Sequence, residues 1–161
     1  MPKIPRMRWV VTTALALCLG AAALVWWRQQ DTAPYALRES PSVTVAVRPT
    51  QSDYPEAKQV AGEVDLLIKV YVQRLLAGDA EALAALGAPW FTNKEKAAED
   101  LIAEYQSVAD KPVVATVADP VTPDLASVEL RFAEGKRQTL NLSRADGVWW
   151  VEVGEGDPVK P

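Results

Sequence analysis

The sequence predicts an α+β domain that follows an N-terminal transmembrane helix. Three observations support this prediction. An uncharged apolar run occupies residues 9–27, apolar residues then recur at helical spacing between about 54 and 108, and after Pro112 they alternate with polar ones. The chain has 161 residues, of which 49% are hydrophobic and 24% are charged, as expected for one globular domain with short appendages.

The composition removes most of the familiar catalytic and metal-binding chemistry. The chain has no histidine, and Cys18 is its single cysteine. Imidazole bases, Ser-His-Asp triads and His/Cys zinc sites therefore cannot be assembled from this chain.

Charge is distributed unevenly along the sequence. Residues 1–28 carry four of the 17 basic residues and no acid, so the remainder has 13 basic residues against all 21 acids, a balance of -8. Because phosphate contacts require a basic surface, this acidic body predicts no nucleic-acid partner.

The apolar run at 9–27 predicts a single-pass membrane anchor. As a helix it would be about 28 Å long, close to the roughly 30 Å of a hydrocarbon core. Trp9 at one end and Trp26 and Trp27 at the other suit the two membrane interfaces. The basic stub at 1–8 places the N-terminus in the cytoplasm, so we expect the remainder to be extracytoplasmic at the cell membrane.

Two alternatives to a retained anchor stay open. Residues 9–19 have the length of the apolar core of a cleaved signal peptide, and residues 21–23 offer a small-residue cleavage site. A lipoprotein attached through Cys18 is a third interpretation, but Leu17 stands where a small residue is expected. The tryptophans at both ends of the run favour the anchor.

An extended linker is predicted at residues 28–53. It contains three prolines, at positions 34, 41 and 49, and no helical periodicity. Within it, the alternating valines of residues 42–47 indicate a short strand that could pack on the edge of the domain.

The domain proper is predicted at residues 54–153 and begins with a long helix. Ser52 or Asp53 could cap this helix, Pro55 suits its first turn, and it runs to about Ala77 before Gly78. We expect its core face to consist of Val60, Val64, Leu67, Ile68, Tyr71 and Leu75. A second, narrower stripe (Leu66, Val70 and Ala77) predicts that the helix is covered on two sides.

Two further helices are predicted before the sheet. Asp79 is the expected N-cap of a short helix that ends at about Leu86. Thr92 and Glu95 have the spacing of a capping box, which would open a third helix to about Val108. That helix has core spacing at Leu101, Ile102 and Tyr105.

Four strands are predicted, at about 113–118, 126–132, 137–143 and 148–153, joined as antiparallel hairpins. Paired residues point to the same face, so loop length fixes which side chains are buried. A three-residue loop with one positive-φ position, suited to Gly135, would place Val128 and Leu140 together. A loop of Asp146-Gly147, or of residues 144–147, would then turn Trp149 inward.

This order of elements resembles the nuclear-transport-factor-2-like (NTF2-like) superfamily. The segment VYVQRLLAGDA at 70–80 is similar to the exit from its first helix, and LSRADGVWWV at 142–151 is similar to its last hairpin. The resemblance covers roughly residues 54–153. It implies a cone of three helices packed on a curled antiparallel sheet of about four strands.

What the resemblance implies about function comes from architecture alone. Bacterial envelope proteins with one N-terminal span and an outward cone, including conjugative-transfer scaffolds and membrane proteins associated with Mce lipid transporters, are similar in layout. We therefore expect a non-catalytic interaction or assembly module of the bacterial cell envelope, held in the membrane through residues 9–27, with a protein partner or self-association. The alternative is a cone that binds a small apolar ligand or acts as an enzyme.

Two sets of candidate site residues follow. Val148 and Trp150 fall on the outer face of the sheet, where a large aromatic often marks a contact. It is equally open that the predicted strand at 43–47, or packing in a strongly curled sheet, covers Trp150. Residues that could line an interior pocket are Tyr71, Tyr105, Gln138 and Trp149.

The sequence predicts no enzyme, no catalytic residue, no cofactor and no metal site. An isomerase-like pocket would need a carboxylate of raised pKa, and no acid has inward parity on the predicted strands. The acids of the third helix (Glu95, Glu99, Asp100 and Glu104) are interpreted as a solvated face, because lysines are interspersed and the spacing fits no calcium loop. Residues 154–161 lack an apolar pattern and are predicted to be disordered.

Overall fold

A computed structural model describes residues 43–51, 54–120 and 122–161. The predicted stub at 1–8, the anchor at 9–27 and the linker up to residue 42 lie outside these residues, as do Ser52 and Asp53. Within the described ranges, no helix is both long enough and apolar enough to cross a bilayer.

The described strands form one five-stranded sheet in chain order. β1 pairs in parallel with β2, and every other neighbouring pair is antiparallel. The α+β class and the four predicted strands are confirmed, and the short valine-rich strand joins them as a fifth at the sheet edge. The strands are β1 Val45–Pro49, β2 Val113–Val117, β3 Leu125–Arg131, β4 Arg137–Ala145 and β5 Val148–Val151.

Three α-helices lie between β1 and β2: α1 Pro55–Ala77, α2 Ala80–Ala84 and α3 Lys94–Tyr105, which continues as a 3-10 turn, Gln106–Val108. Tyr54 is the N-cap of α1 and makes no side-chain capping bond, while Pro55 occupies the first turn as predicted. Gly78 ends α1 at φ 69°, which a residue without a side chain adopts at little cost. The Asp79 cap of α2 is confirmed, since its carboxylate accepts from the Ala82 N–H at 2.9 Å.

The predicted capping box at Thr92 and Glu95 is wrong. Asn93, at φ 53°, is the N-cap of α3 and makes no side-chain capping bond. Thr92 instead pairs with Glu155 through two backbone hydrogen bonds of 2.9 Å each. The backbone of Thr92 is therefore committed to a partner far along the chain, which a local capping pattern cannot reveal.

The core lies between α1 and the inner face of the sheet. The predicted core face of α1 is confirmed, because all six of its residues are buried. The second stripe is covered only in part: Val70 is buried, but Leu66 is 40% exposed and Ala77 is exposed. Tertiary packing, and not helical periodicity, decides which part of that stripe is covered. The inner face of the sheet contributes Val113, Ala115, Val117, Val128, Leu130, Leu140, Leu142, Trp149 and Val151, all of them buried.

Both hairpins have the predicted parity. The Phe132 N–H donates to the Lys136 carbonyl, which leaves a three-residue loop, although Glu134 has a positive φ as well as Gly135. Asp146 and Gly147, at φ 53° and 79°, form the two-residue turn between β4 and β5. Positive φ at both positions is typical of a type I′ turn, whose twist matches that of the strands.

Residues 154–161, predicted to be disordered, pack against the domain. Glu155 forms the bridge to Thr92, and the Trp90 indole N–H donates to the Asp157 carbonyl at 2.9 Å. Lys160 forms an ion pair with Asp146 at 2.7 Å. Backbone pairing holds this tail in place, so the absence of an apolar pattern does not prevent its order.

Two glycines allow the tail to approach the domain closely. Gly154 has φ 99°, and a Cβ there would overlap the Thr92 carbonyl oxygen. A Cβ on Gly156 would lie 2.7 Å from the Phe91 ring. Side chains at these two positions would therefore separate the tail from the loop that precedes α3.

Candidate functional site

The predicted interior pocket is filled around Tyr71. Tyr71, Leu67 and Leu130 have no solvent-accessible surface, so no water-sized cavity adjoins them. The Gln138 side-chain amide donates to the Tyr71 hydroxyl at 2.6 Å, which brings two of the predicted pocket residues together. Burial raises the pKa of Tyr71, so the phenol stays neutral.

The two other predicted pocket residues make separate contacts. The Tyr105 hydroxyl donates to the Arg137 carbonyl at 3.2 Å, and its ring stacks on Phe132 with the centroids 5.2 Å apart. Trp149 is 2% exposed and turns inward as predicted, but its indole N–H donates to Glu63 on α1. Tyr71 and Trp149 therefore belong to two different clusters and do not line a common pocket.

An open groove, which we call the α1 groove, lies between the first half of α1 and the connection from β2 to β3. It has a volume of about 230 Å³. Val60 and two prolines give it apolar walls, and Glu63 and Arg144 supply charge. Its lining residues are Glu56, Gln59, Val60, Glu63, Pro120, Thr122, Pro123 and Arg144.

Glu63 is the centre of a polar cluster in this groove. The Gln59 amide donates to Glu63 Oε1 at 2.9 Å, and the Trp149 indole donates to Oε2 at 3.0 Å. The Arg144 Nη1 lies 3.3 Å from Oε2. The hydrogen bonds from Gln59 and Trp149, helped by the charge of Arg144 and opposed by partial burial, hold the pKa of Glu63 below its usual value.

Local structure explains how this cluster forms. Gln59 and Glu63 are four residues apart on α1, so their side chains share one face of the helix. Arg144 and Trp149 are paired across β4 and β5, and the guanidinium carbon lies 5.7 Å from the centroid of the indole ring. Strand parity already places Arg144 opposite Trp149. The contact to Glu63 depends on how α1 packs over the sheet, and no local pattern reveals it.

The partner-binding candidates lie on the outer face of the sheet, as predicted. Val148 and Trp150 are each half-buried. In the strand register, Ser143 stands between Leu125 and Trp150, and it is only 1% exposed. We call Leu125, Ser143 and Trp150 the outer row. The alternative that the predicted strand at 43–47 covers Trp150 is wrong, because β1 and β5 form opposite edges of the sheet.

Metal chemistry finds no support among the described residues. In the described ranges, no group of three or more acids or cysteines is placed to hold a metal ion. On α3, Lys96 forms an ion pair with Asp100, which fits the predicted solvated face.

Comparison with protein-family models, curated proteins and solved structures found no match for this chain. The α+β class and the curled five-stranded sheet therefore rest on the structure itself.

Proposed function

We propose that this chain is a non-catalytic association module of the bacterial cell envelope, with an NTF2-like cone displayed outside the membrane on an N-terminal anchor. The observation that carries the proposal is the filled interior. Tyr71, which would line a cone-shaped ligand pocket, has no accessible surface, and its hydroxyl accepts a hydrogen bond from Gln138. A domain with no room beside these residues is better suited to contacts made through its surface.

The chemistry of the groove also favours binding over catalysis. A general acid or base works best with a pKa near the operating pH, which for a carboxylate requires an upward shift. The pKa of Glu63 is shifted downward, and both of its oxygens already accept hydrogen bonds. Glu63 therefore acts as a fixed anion that orients its neighbours.

The runner-up function is a carrier or enzyme that uses the inside of the cone. It would require a cavity lined by Tyr71, Tyr105, Gln138 and Trp149. Tyr71 has no accessible surface and Trp149 is bonded to Glu63, so nothing in their packing favours this alternative.

The outer row is the proposed association surface. Trp150 and Leu125 are half-buried on a sheet face that otherwise carries polar residues such as Thr139 and Asn141, both exposed. A partly exposed aromatic side chain beside an aliphatic one is typical of a protein contact. The anchor that the sequence predicts at 9–27 would present this surface on the outer side of the membrane.

Crosslinking in intact cells tests this proposal. A photoreactive residue at Thr139, on the outer face, should give crosslinked products that contain the full-length chain. Trp150→Ser should reduce their yield several-fold and leave the unfolding transition in place. Leu66→Ser removes an exposed apolar side chain from α1, away from the sheet, and should leave the yield unchanged.

Two outcomes would contradict the proposal: recovery of the uncrosslinked monomer alone, or an unchanged yield in Trp150→Ser. If Trp150→Ser unfolds the chain, Val148→Glu on the same face tests the surface instead, since Val148 is a half-buried neighbour.

A further inference from the structure

The guanidinium of Arg144 is held on one side and open on the other. Its Nη1 pairs with Glu63, and its backbone N–H donates to the Asp124 carbonyl at 2.8 Å. The indole of Trp149 lies beneath it. Among the described residues, no acceptor is bonded to Nε or Nη2 of Arg144, and 34% of the side chain is exposed.

Arg144 lines the α1 groove together with apolar side chains from two elements. Val60 from α1 and Pro120 and Pro123 from the β2–β3 connection line it, together with the hydroxyl-bearing side chain of Thr122. The site thus combines a positioned cation, a neighbouring hydroxyl and a short apolar wall. That combination suits a ligand with one charged end and one apolar end.

We propose that the α1 groove binds a carboxylate through the open edge of Arg144, with the apolar body of the ligand against Val60 and the two prolines. A guanidinium presents parallel N–H donors that match the two oxygens of a carboxylate. The hydroxyl of Thr122 is a further donor in the same groove. Glu63 and Trp149 hold the guanidinium of Arg144 in place before the ligand binds, which reduces the entropy lost on binding.

The charge of the groove favours a monoanion over a dianion. Glu56 and Glu63 line the same groove as Arg144, so its formal balance is -1, and the repulsion of a dianion such as phosphate is about twice that of a carboxylate. Glu56 is seven residues before Glu63 and so lies about 10 Å away along the helix. Glu56 is therefore not part of the ion pair between Glu63 and Arg144.

This site lies on the inner side of β4, whereas the outer row lies on the other face of the sheet. Arg144 and Trp150 therefore lie on opposite faces, and variants at these two positions test the two proposals separately. The source of the carboxylate is either a small free acid or the C-terminus of a protein chain, and the test separates the two.

Side-chain NMR of the full-length protein in detergent, labelled with 15N-arginine, tests the proposal. The Arg144 Nε–H resonance is assigned by its loss in Arg144→Gln. Titration with butyrate and with N-acetyl-valine should shift that resonance, whereas N-acetyl-valinamide, which lacks the charge, should not. Tighter binding of N-acetyl-valine than of butyrate would assign the site to a chain terminus, and the reverse would assign it to a free acid.

Arg144→Lys keeps the charge but loses the parallel N–H donors of the guanidinium. We expect this variant to bind N-acetyl-valine about tenfold more weakly, as measured from the chemical shifts of backbone amides in the groove. Arg131→Gln removes an exposed arginine from the outer face and should leave binding unchanged. The proposal is overturned if the amide analogue binds as well as the acid, or if Arg144→Gln still shows the same groove shifts.

Discussion

At the scale of single residues, the buried hydrogen bond between Gln138 and Tyr71 can be tested most directly by substitution. Both side chains are buried, and the bond between them is 2.6 Å long. Among the described residues, the side-chain oxygen of Gln138 has no partner. Removing one partner of a buried hydrogen bond lowers the free energy of unfolding more than replacing both partners by apolar groups.

Tyr71→Phe should therefore destabilise the chain by about 1–3 kcal/mol, because it leaves the Gln138 amide without an acceptor. The double variant Tyr71→Phe/Gln138→Leu should recover most of that loss. Urea unfolding of the full-length chain, followed by circular dichroism, measures both. Tyr105→Phe is the matched control, since its hydroxyl donates a part-buried hydrogen bond to the Arg137 carbonyl. If Tyr71→Phe lowered the free energy of unfolding no more than this control does, the account would be contradicted.

The Glu63 cluster makes a prediction about pH. The pKa of Glu63 in the folded chain is lower than the ordinary value of 4.5, so its ionised form stabilises the fold above that value. This contribution is lost as the pH falls through the folded pKa. The stability gap between wild type and Glu63→Gln should therefore shrink between pH 7 and pH 3 in unfolding measurements.

Trp149→Phe provides the control for this pH profile. It removes one of the donors to Glu63 while it keeps an aromatic ring in the core, so it should flatten the profile in part. If the free energies of unfolding of wild type and Glu63→Gln differed by the same amount at both pH values, the cluster would not hold Glu63 as an anion.

At the scale of elements, the sequence predicts what is local. Trp149 was predicted to point inward and Trp150 outward. Loop length sets the register of the two strands, and the alternation of side chains along each strand then decides which face each residue occupies. The pairing of Thr92 with Glu155 joins residues 63 positions apart, and the bond from Trp149 to Glu63 spans 86. Contacts at that separation depend on how elements pack, so neither the tail nor the α1 groove could be predicted.

The docked tail leads to an element-scale prediction. Gly154 combines a positive φ with close approach to Thr92, whereas Gly135 has φ 78° and open space around its Cβ position. Gly135→Ala should cost about 1 kcal/mol from backbone strain alone. Gly154→Ala should cost about 2–4 kcal/mol because the overlap is added, and it should expose the tail to proteases. Equal losses in the two variants, with the tail still protected, would mean that the tail does not dock as described.

At the scale of the whole molecule, the edges of the sheet differ. The β5 edge is protected, since the Val151 N–H donates to the Leu86 carbonyl at 2.9 Å and Val151 bridges to Gly87. The β1 edge ends in Pro49, which lacks an N–H donor and so weakens pairing with a further strand. Both features disfavour self-association through strand addition, in keeping with the proposed association through the outer row.

The central proposal is that an acidic α+β body stands outside the membrane on its own anchor. In a Cys18→Ser background, single cysteines at Thr139 and at Lys3 report the two sides, because the chain has no other cysteine. A small membrane-impermeant maleimide should label Thr139→Cys in intact cells, and Lys3→Cys only after permeabilisation. Protection of Thr139→Cys until the membrane is opened would contradict the account.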